Sequence, residues 1–467
     1  MQFDSYIYGI FLPIVFVLYW SLRHRLGAQN LLLLAASYLF YGWWDWRFLS
    51  LILFTSLTTY CTGLFIKPDG SRGSRYLTVL NIVVNLAVLA VFKYLNFFAT
   101  ELSLLLTTMG IHAGWTTLNL VLPVGISFYT FQAISYTIDV YRGDVPATRR
   151  VVPFLVYVSF FPQLVAGPIE RASNLLPQFL RVKQWDYAVA VTGMRQILWG
   201  LTKKIVIADT LAGAVDIDFY HPGAMNPLAL IVGAVLFSFR IYADFSGYSD
   251  IAIGSARLLG IKLQPNFRYP FFSRSWRELW QRWHISLMTW FKLYVYFPLG
   301  GSRHGRVRTT VATLTVFLLS GLWHGADYTF VLWGLAGGLL LIPSVWLRPQ
   351  REIGEPQLKD IPRCLAVFAG FTAVFVLFRV NDMAHLNEWL GTIVHGNYSL
   401  NYVYGWVELV KYVIPLVVVE WLGRHEEFPL ARLPFPTVVR WLIYWTLTAL
   451  IIFHCHGVDR QYIYFQF

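Results

Sequence analysis

Long apolar runs separated by short polar loops recur along the whole chain. Because a membrane-spanning helix needs about 20 mostly apolar residues, each run is a candidate span. The candidate segments are residues 6–21, 30–44, 48–66, 76–99, 119–140, 151–166, 186–212, 227–258, 309–321, 328–347, 363–380, 403–422 and 436–456. Two of them, 151–166 and 309–321, are short for a span and indicate re-entrant or broken helices. The pattern predicts an all-α polytopic membrane protein with about 10–12 transmembrane helices and additional re-entrant or interfacial helices.

Residues 259–308 depart from this pattern because arginines alternate with tryptophans. Trp276, Trp280 and Trp283 recur at helical i, i+4, i+7 spacing and predict one aromatic helix face. Such a helix would lie at the membrane interface or line the mouth of a cavity. A Pro and two Gly in the run 298–302 are expected to end it.

Positive charge alternates between the first loops. Basic residues follow the first, third and fifth candidate spans: Arg23, Arg25, Lys67, Arg72, Arg75, Arg142, Arg149 and Arg150. The stretch 101–118 after the fourth span has Glu101 and no Lys or Arg. By the positive-inside rule, the N-terminus is predicted outside the cytoplasm.

Composition agrees with a membrane protein and excludes several other classes. Charged residues make up only 13% of the chain, against about 25% in soluble domains. The net charge of +12 fits cytoplasmic loops, because the chain has no basic arm or stacking platform for nucleic acid. Cys61, Cys364 and Cys455 are scattered, which argues against a disulfide framework or a zinc site. His454 and His456 flank Cys455 without a further ligand nearby, so we expect no metal.

Two histidines are the strongest candidates for chemistry. His324 lies in an apolar run next to Trp323 and Gly325, and His284 lies upstream in the tryptophan-rich segment. An imidazole accepts and releases protons near neutral pH, and ionisable groups at membrane depth are costly unless they serve a function. The alternative for His324 is a core histidine hydrogen-bonded between helices. The alternative for His284 is an interfacial residue that snorkels among Trp and Arg.

Other polar residues interrupt the apolar segments. Asp244, Ser246, Tyr248 and Asp250 are close to helical i, i+4 spacing. The alternatives are that they bind a substrate, pair with an arginine, hold a cation, or form an interhelical hydrogen-bond network. The network is the favoured interpretation for most of them. Lys203 and Lys204 are expected to end a helix, as a positive-inside anchor or a site for phosphates.

Two segments combine Pro and Gly with polar residues at membrane depth. They are Leu122–Gln132, which ends in Gln132, and Phe161–Pro168, which contains Gln163. Broken backbone at this depth lines a cavity in some proteins and is a simple kink in others, and the sequence favours neither.

Several of these motifs, in this order, resemble one known family. They are residues 11–16, 122–132, 242–250, 280–287, 298–303, 322–326 and 462–467. The chain is similar to the membrane-bound O-acyltransferases, and most similar to the bacterial branch with the alginate O-acetylation and teichoic acid D-alanylation membrane proteins. The resemblance covers nearly the whole chain. It implies one membrane domain over residues 1–467, with helices around a central tunnel, in which 259–308 carries His284 and 309–347 carries His324.

The resemblance also implies an activity. An enzyme of this kind is an O-acyltransferase, here an O-acetyltransferase, that moves an acetyl group from a cytoplasmic thioester across the membrane for O-acetylation of an exopolysaccharide such as alginate or cellulose. The donor would be acetyl-CoA or an acyl carrier thioester, with no permanently bound cofactor. The expected partners are the lipid bilayer and periplasmic acetyltransferases or other polysaccharide-modifying proteins.

Site residues follow from the matching motifs. His324 at the Trp-His-Gly position would be the catalytic histidine, and His284 at the Arg-Trp-His position the second. A base is needed because a hydroxyl is a weak nucleophile until its proton is removed. Arg282, Trp283 and the Gly325 amide are candidate donors to the oxyanion. The candidate substrate or tunnel residues are Trp323, Arg282, Trp283, Asp244, Ser246, Tyr248, Gln132 and Gln163.

Two alternatives remain open at this point. A D-alanyl or lipid O-acyltransferase would keep the chemistry and change the acyl group. A proton-coupled transporter would use the histidines and Asp244 as a proton relay, although the sequence shows no inverted repeat.

Overall fold

The computed structural model describes residues 1–111, 120–347, 354–399, 405–455 and 462. All regular secondary structure within these ranges is helical. The chain forms two compact units, the first comprising residues 1–187 and 256–263 and the second residues 188–255 and 264–467. The all-α prediction is confirmed, and the single domain over 1–467 stays a prediction.

The first unit is built from apolar helices joined by short loops. Its helices are Tyr6–Ser21, Leu26–Gly42, Trp46–Phe48, Leu49–Phe65, Arg72–Thr108, Ile126–Arg142, Val151–Ser159, Phe161–Leu164 and Ala172–Phe179. Ser5 caps the first of these helices by accepting a hydrogen bond from the Tyr8 amide at 3.2 Å.

The two Pro- and Gly-containing segments of the first unit pack directly on each other. Gly125 precedes the helix Ile126–Arg142 with φ +79°, and a Cβ there would lie 2.6 Å from the Leu164 carbonyl oxygen. Only glycine fits both the left-handed backbone and this close approach. The predicted break in 151–166 is confirmed, because the helix Val151–Ser159 ends before Phe161–Leu164 begins.

The second unit contains most of the candidate site. Its longer helical segments are Tyr187–Tyr220, which has a π-helical stretch at Thr202–Ala208, Pro227–Leu258, Arg306–His324, Tyr328–Trp346, Ile361–Arg379, Met383–His395, Gly405–Leu422 and Thr437–His454. The short helices Trp276–Arg282 and Ile285–Phe291, with π-helical Lys292–Tyr296, lie in the tryptophan-rich region. The predicted aromatic helix face is therefore interrupted, since the helix carrying Trp276 and Trp280 ends before Trp283.

Six helical segments in the described ranges are long and apolar enough to cross a membrane on their own. They are Trp46–Phe65, Arg72–Thr108, Pro227–Leu258, Tyr328–Trp346, Leu358–Arg379 and Thr437–His454, with two shorter apolar segments at Tyr6–Ser21 and Val151–Leu164. A polytopic membrane protein is confirmed by this helix content, and the count of about 10–12 spans stays a prediction.

Glycines let helices of the second unit approach closely. A Cβ at Gly321 would lie 2.3 Å from the Phe330 carbonyl oxygen, and one at Gly334 would lie 2.3 Å from that of Phe317. These contacts join Arg306–His324 and Tyr328–Trp346 into a tight hairpin, as small residues do in membrane helices. Gly200 and Gly247 meet in the same way, with a Cβ at Gly200 lying 2.6 Å from the Gly247 carbonyl oxygen.

Candidate active site

His324 is fixed by the turn of the glycine-packed hairpin. It is the last residue of the helix Arg306–His324, and its side chain is buried. Gly325 follows in extended conformation, and a Cβ there would lie 2.1 Å from the Phe330 ring. Asp327 caps the next helix, accepting a hydrogen bond from the Thr329 amide at 2.8 Å. Asp327, which the sequence places close to His324, therefore has a structural role of its own.

His284 lies in a strained turn between two short helices. Its backbone is left-handed, with φ 43° and ψ 53°, and only 1% of the residue is exposed. Positive φ is unfavourable for a residue with a Cβ and is held only by strong surrounding contacts. Burial lowers the pKa of His284 to about 3, so its imidazole is neutral at pH 7.

Both histidine rings pack against Trp323. The His284 and Trp323 ring centroids are 6.0 Å apart, and those of Trp323 and His324 are 4.8 Å apart. The three residues come from two separate parts of the sequence, and all lie in the second unit. The structure thus brings the two predicted catalytic residues and Trp323 together.

An aromatic wall, which was not predicted, encloses these rings. Trp333 and Phe378 pack edge-on against His324 at 5.0 and 5.2 Å, and Phe245 packs against His284 at 4.7 Å. In the described part of the chain, the indole N–H groups of Trp280 and Trp333 are buried and have no hydrogen-bond acceptor. Buried N–H donors of this kind can stabilise negative charge on a bound oxygen. Aromatic residues are frequent throughout this sequence, so their identity alone did not mark this wall.

Arg282 is part of an ion-pair network. Its guanidinium pairs with Glu278 at 2.9 Å and with Glu355 at 3.0 Å, and Arg274 pairs with the same Glu278 at 2.9 Å. Burial alone would raise the pKa of Glu278, but hydrogen bonds from Arg274 and the charges of Arg282 and Arg274 lower it overall. The network stabilises the helix Trp276–Arg282, which ends two residues before His284.

The other two predicted oxyanion donors also have protein contacts. Trp283 packs on Phe371 at 4.9 Å and on Phe267 at 5.1 Å. The Gly325 amide donates to the Gly321 carbonyl oxygen at 3.3 Å. An oxyanion role for Arg282, Trp283 or Gly325 stays a prediction.

Lys203 and Lys204 correct the sequence interpretation. They do not end a helix, because they lie in the π-helical stretch in the middle of Tyr187–Tyr220, and both are buried. Lys204 pairs with Asp244 at 2.8 Å, while Lys203 pairs with Asp250 at 2.6 Å and donates to Ser246 at 2.8 Å. The close approach at Gly200 and Gly247 allows these pairs to form. They are the interhelical network favoured for this cluster.

The remaining predicted residues lie in two places. Tyr248 packs against Tyr462 with ring centroids 4.5 Å apart. Gln163 donates to the Tyr157 carbonyl oxygen at 2.7 Å, and the Tyr157 hydroxyl donates to the Gln132 carbonyl oxygen at 3.3 Å. These glutamines belong to the first unit, and their roles toward substrate stay predictions.

A polar pocket of about 400 Å³, including its open mouth, lies in the second unit. Its lining residues are Gln196, Trp199, Lys203, Tyr242, Ser246, Ser249, Asp250, Ile253, Pro265, Asn266, Phe267, Tyr269, Glu420, Glu427, Phe428 and Pro429. Tyr242 donates to Glu420 at 2.7 Å on its wall. Phe267 of the lining packs on Phe245, which contacts His284, so two packed rings connect the pocket lining to the histidine.

Metal ligands are not grouped in the described ranges, where no three His, Cys, Asp or Glu side chains are placed to hold an ion. His456, the second histidine around Cys455, lies outside the described residues.

Comparison with known proteins identifies the family. The model of the membrane-bound O-acyltransferase family matches residues 148–353, which include both histidines. The chain is 39% identical over 392 residues to "Probable alginate O-acetylase AlgI" of Pseudomonas putida, covering 82% of this chain and 78% of the relative. It is 34% identical over 406 residues to "Peptidoglycan O-acetyltransferase" of Helicobacter pylori, covering 80% and 76%.

A more distant similarity involves another acyl group. The chain is 27% identical over 237 residues to "Teichoic acid D-alanyltransferase" of Bacillus subtilis, covering 48% of this chain and 59% of the relative. The O-acetylating relatives are more similar and match most of the chain. The protein is a multi-pass membrane O-acyltransferase and belongs to the membrane-bound O-acyltransferase family.

Proposed function

We propose that the protein transfers an acetyl group from a cytoplasmic thioester toward the O-acetylation of a polysaccharide outside the cytoplasm. The observation that carries this proposal is the meeting of two buried histidines at Trp323. Acetylation is supported by the names of the O-acetylating relatives, one of which refers to alginate and the other to peptidoglycan.

His324 acts as the general base in this proposal. The imidazole takes the proton of the acceptor hydroxyl as its oxygen attacks the carbonyl carbon of the acetyl thioester. The tetrahedral intermediate then collapses, the carbon–sulfur bond breaks, and the thiolate recovers the proton from the imidazolium. The products are an ester and a free thiol. The buried indole N–H of Trp333, whose ring contacts His324, is suited to stabilise the oxyanion.

His284 works in its neutral form. With a pKa of about 3 it carries no charge at physiological pH, so it contributes hydrogen bonds rather than electrostatic attraction. Its burial among aromatic rings also keeps water away from the thioester.

The polar pocket is suited to the uncharged part of a thioester donor. Asp250, Glu420 and Glu427 line it with one lysine, Lys203, which already pairs with Asp250. The acidic groups outnumber the lysine and disfavour a phosphate at this position, whereas Gln196 and Asn266 can hydrogen-bond to amide groups. Both acetyl-CoA and a carrier thioester present an amide-containing arm, so these polar side chains would suit either donor.

The proposed orientation follows the charges of the first unit. The basic loops containing Arg23, Lys67 and Arg149 lie on the cytoplasmic side of a bacterial inner membrane, and the N-terminus is periplasmic. The acetyl group then passes to periplasmic polysaccharide-modifying proteins. Cysteine introduced by His24→Cys should be protected from an impermeant maleimide in intact spheroplasts, and Trp44→Cys should be labelled. The reverse pattern contradicts the orientation.

Cells that make the acetylated polymer test the proposed function. A strain lacking its own copy is complemented with the wild type, His324→Ala, or the exposed-histidine control His304→Ala. Ester acetate on the purified polysaccharide is then measured by alkaline release. Wild type and His304→Ala should restore acetate, while His324→Ala should not at equal membrane abundance. Acetylation restored by His324→Ala contradicts the catalytic assignment.

A further inference from the structure

Backbone hydrogen bonds from the segment 266–268 hold the strained turn at His284 on both sides. The Ile285 amide donates to the Asn266 carbonyl oxygen at 2.9 Å, and the Arg268 amide donates to the Arg282 carbonyl oxygen at 3.0 Å. These two bonds enclose Trp283 and His284 between them. A left-handed histidine is kept in place when its neighbours on both sides are fixed in this way.

Asn266 contacts this turn with its side chain as well as with its backbone. Its side-chain Oδ1 accepts a hydrogen bond from the Ser286 hydroxyl at 2.5 Å, and its Nδ2 donates to the Ser249 hydroxyl at 3.2 Å. Ser249 belongs to the helix Pro227–Leu258, so one amide connects the turn after His284 to a long membrane helix. Asn266 is 1% exposed, which leaves its side chain little freedom to move.

Asn266 also lines the polar pocket. A single side chain thus lines the pocket and contacts Ser286, two residues after His284. We propose that Asn266 is a positioning residue that holds His284 in its left-handed conformation at the acyl-transfer site. This inference rests on the proposed role of His284 in acetyl transfer.

Misplacing a reacting group by about 1 Å can cost roughly 100-fold in rate. Asn266→Ala removes the acceptor for Ser286 and the donor to Ser249, so the His284 turn should relax away from positive φ. We expect kcat for acetyl transfer to fall about 10- to 100-fold, with KM for the thioester changing only about twofold. Asn266→Asp keeps the acceptor for Ser286 and should retain more of kcat than Asn266→Ala.

A second readout follows the position of His284 without depending on activity. Diethyl pyrocarbonate modifies accessible imidazoles, and mass spectrometry gives the rate at each histidine. In the wild type His284 should react slowly and the exposed His304 rapidly. Asn266→Ala should increase the rate at His284 several-fold and leave that at His304 unchanged. The matched control is Asn85→Ala, which removes an equally buried asparagine from the first unit and should leave the rate at His284 unchanged.

The outcomes separate the two proposals. The positioning role is overturned if Asn266→Ala folds and keeps the wild-type kcat. It is also overturned if the modification rate at His284 is unchanged in that variant. Where Asn266→Ala does not fold, Ser286→Ala removes the same hydrogen bond and is judged by the same criteria. Full activity of His284→Ala overturns the proposed role of His284 in transfer, while the modification rate still reports whether Asn266 holds the turn.

Discussion

The rings of His284 and Trp323 are 6.0 Å apart between centroids, although His284 lies in a turn between two short helices and Trp323 lies in the helix Arg306–His324. Trp323 precedes His324, so the indole couples the positions of the two imidazoles. A polar site in an apolar region needs rigid neighbours, because misdirected groups there lose their hydrogen bonds without compensation from water. Trp323 supplies that rigidity between His324 and His284.

Replacing Trp323 should therefore impair transfer more than folding. Trp323→Phe keeps an aromatic ring but removes part of the surface shared with His284, and we expect kcat to fall about tenfold. The matched control is Trp346→Phe, a partly exposed position at a helix end. Steady-state thioester consumption by the purified variants measures both effects. Equal kcat in the two variants argues against a role for Trp323.

The Lys203–Asp250 pair should be a strong determinant of stability. Lys203→Met leaves the largely buried Asp250 carboxylate without its cation, which costs about 3–5 kcal/mol. The double variant Lys203→Met with Asp250→Asn removes both charges and should recover part of the loss. Thermal unfolding in detergent measures the differences.

An exposed ion pair provides the comparison. Arg47 pairs with Asp45 at 2.6 Å, but its side chain is 72% exposed. Arg47→Met should lower the unfolding midpoint far less than Lys203→Met does, because water and salt screen an exposed pair. A similar loss from Arg47→Met and Lys203→Met is incompatible with a special role for the buried pair.

The glycine contacts of the hairpin should control the position of His324. Gly321→Ala places a methyl group 2.3 Å from the Phe330 carbonyl oxygen, so the two helices must separate. We expect a lower unfolding midpoint and a lower kcat. Gly213→Ala is the matched control, because a Cβ there meets nothing within 4 Å and alanine favours a helix by about 1 kcal/mol over glycine. Unchanged stability in Gly321→Ala disproves the close helix packing.

The buried His284 should make stability depend on pH. Its pKa of about 3 in the folded protein lies below the value of about 6.5 expected in the unfolded chain. The unfolded state therefore binds more protons between these values, and stability is lost as the pH falls from about 6.5 toward 3. Unfolding midpoints at pH 7 and pH 5 should differ more in the wild type than in His284→Gln. An equal difference in both proteins contradicts this pKa assignment.

Long apolar helices were predictable because an apolar run of about 20 residues is the length needed for a membrane span. The segment 227–258 matches the helix Pro227–Leu258, and the break in 151–166 is present. The segment 76–99 was predicted too short, since the helix Arg72–Thr108 extends into more polar residues at both ends. The amphipathic helix Met383–His395 was missed because its polar residues keep it below the hydropathy of a span.

The two histidines were noticeable from their neighbours in the sequence, but the tertiary contacts around them were not predictable. Only the fold shows that Lys203 and Lys204 face Asp250 and Asp244, because these contacts join residues far apart in the sequence. The end of a helix at Arg282 was also hidden, since contacts from Asn266 and Arg268 stabilise the turn that follows. Local helical spacing cannot report such tertiary hydrogen bonds.

The most direct test of the central claim is thioester consumption by the purified protein in detergent. Radiolabelled acetyl-CoA is supplied with and without a periplasmic partner fraction, and wild type is compared with His324→Ala at equal folded concentration. Loss of a general base should reduce turnover by about 10²–10⁴-fold in His324→Ala. Turnover by His324→Ala at the wild-type rate would contradict an acyl transfer centred on His324.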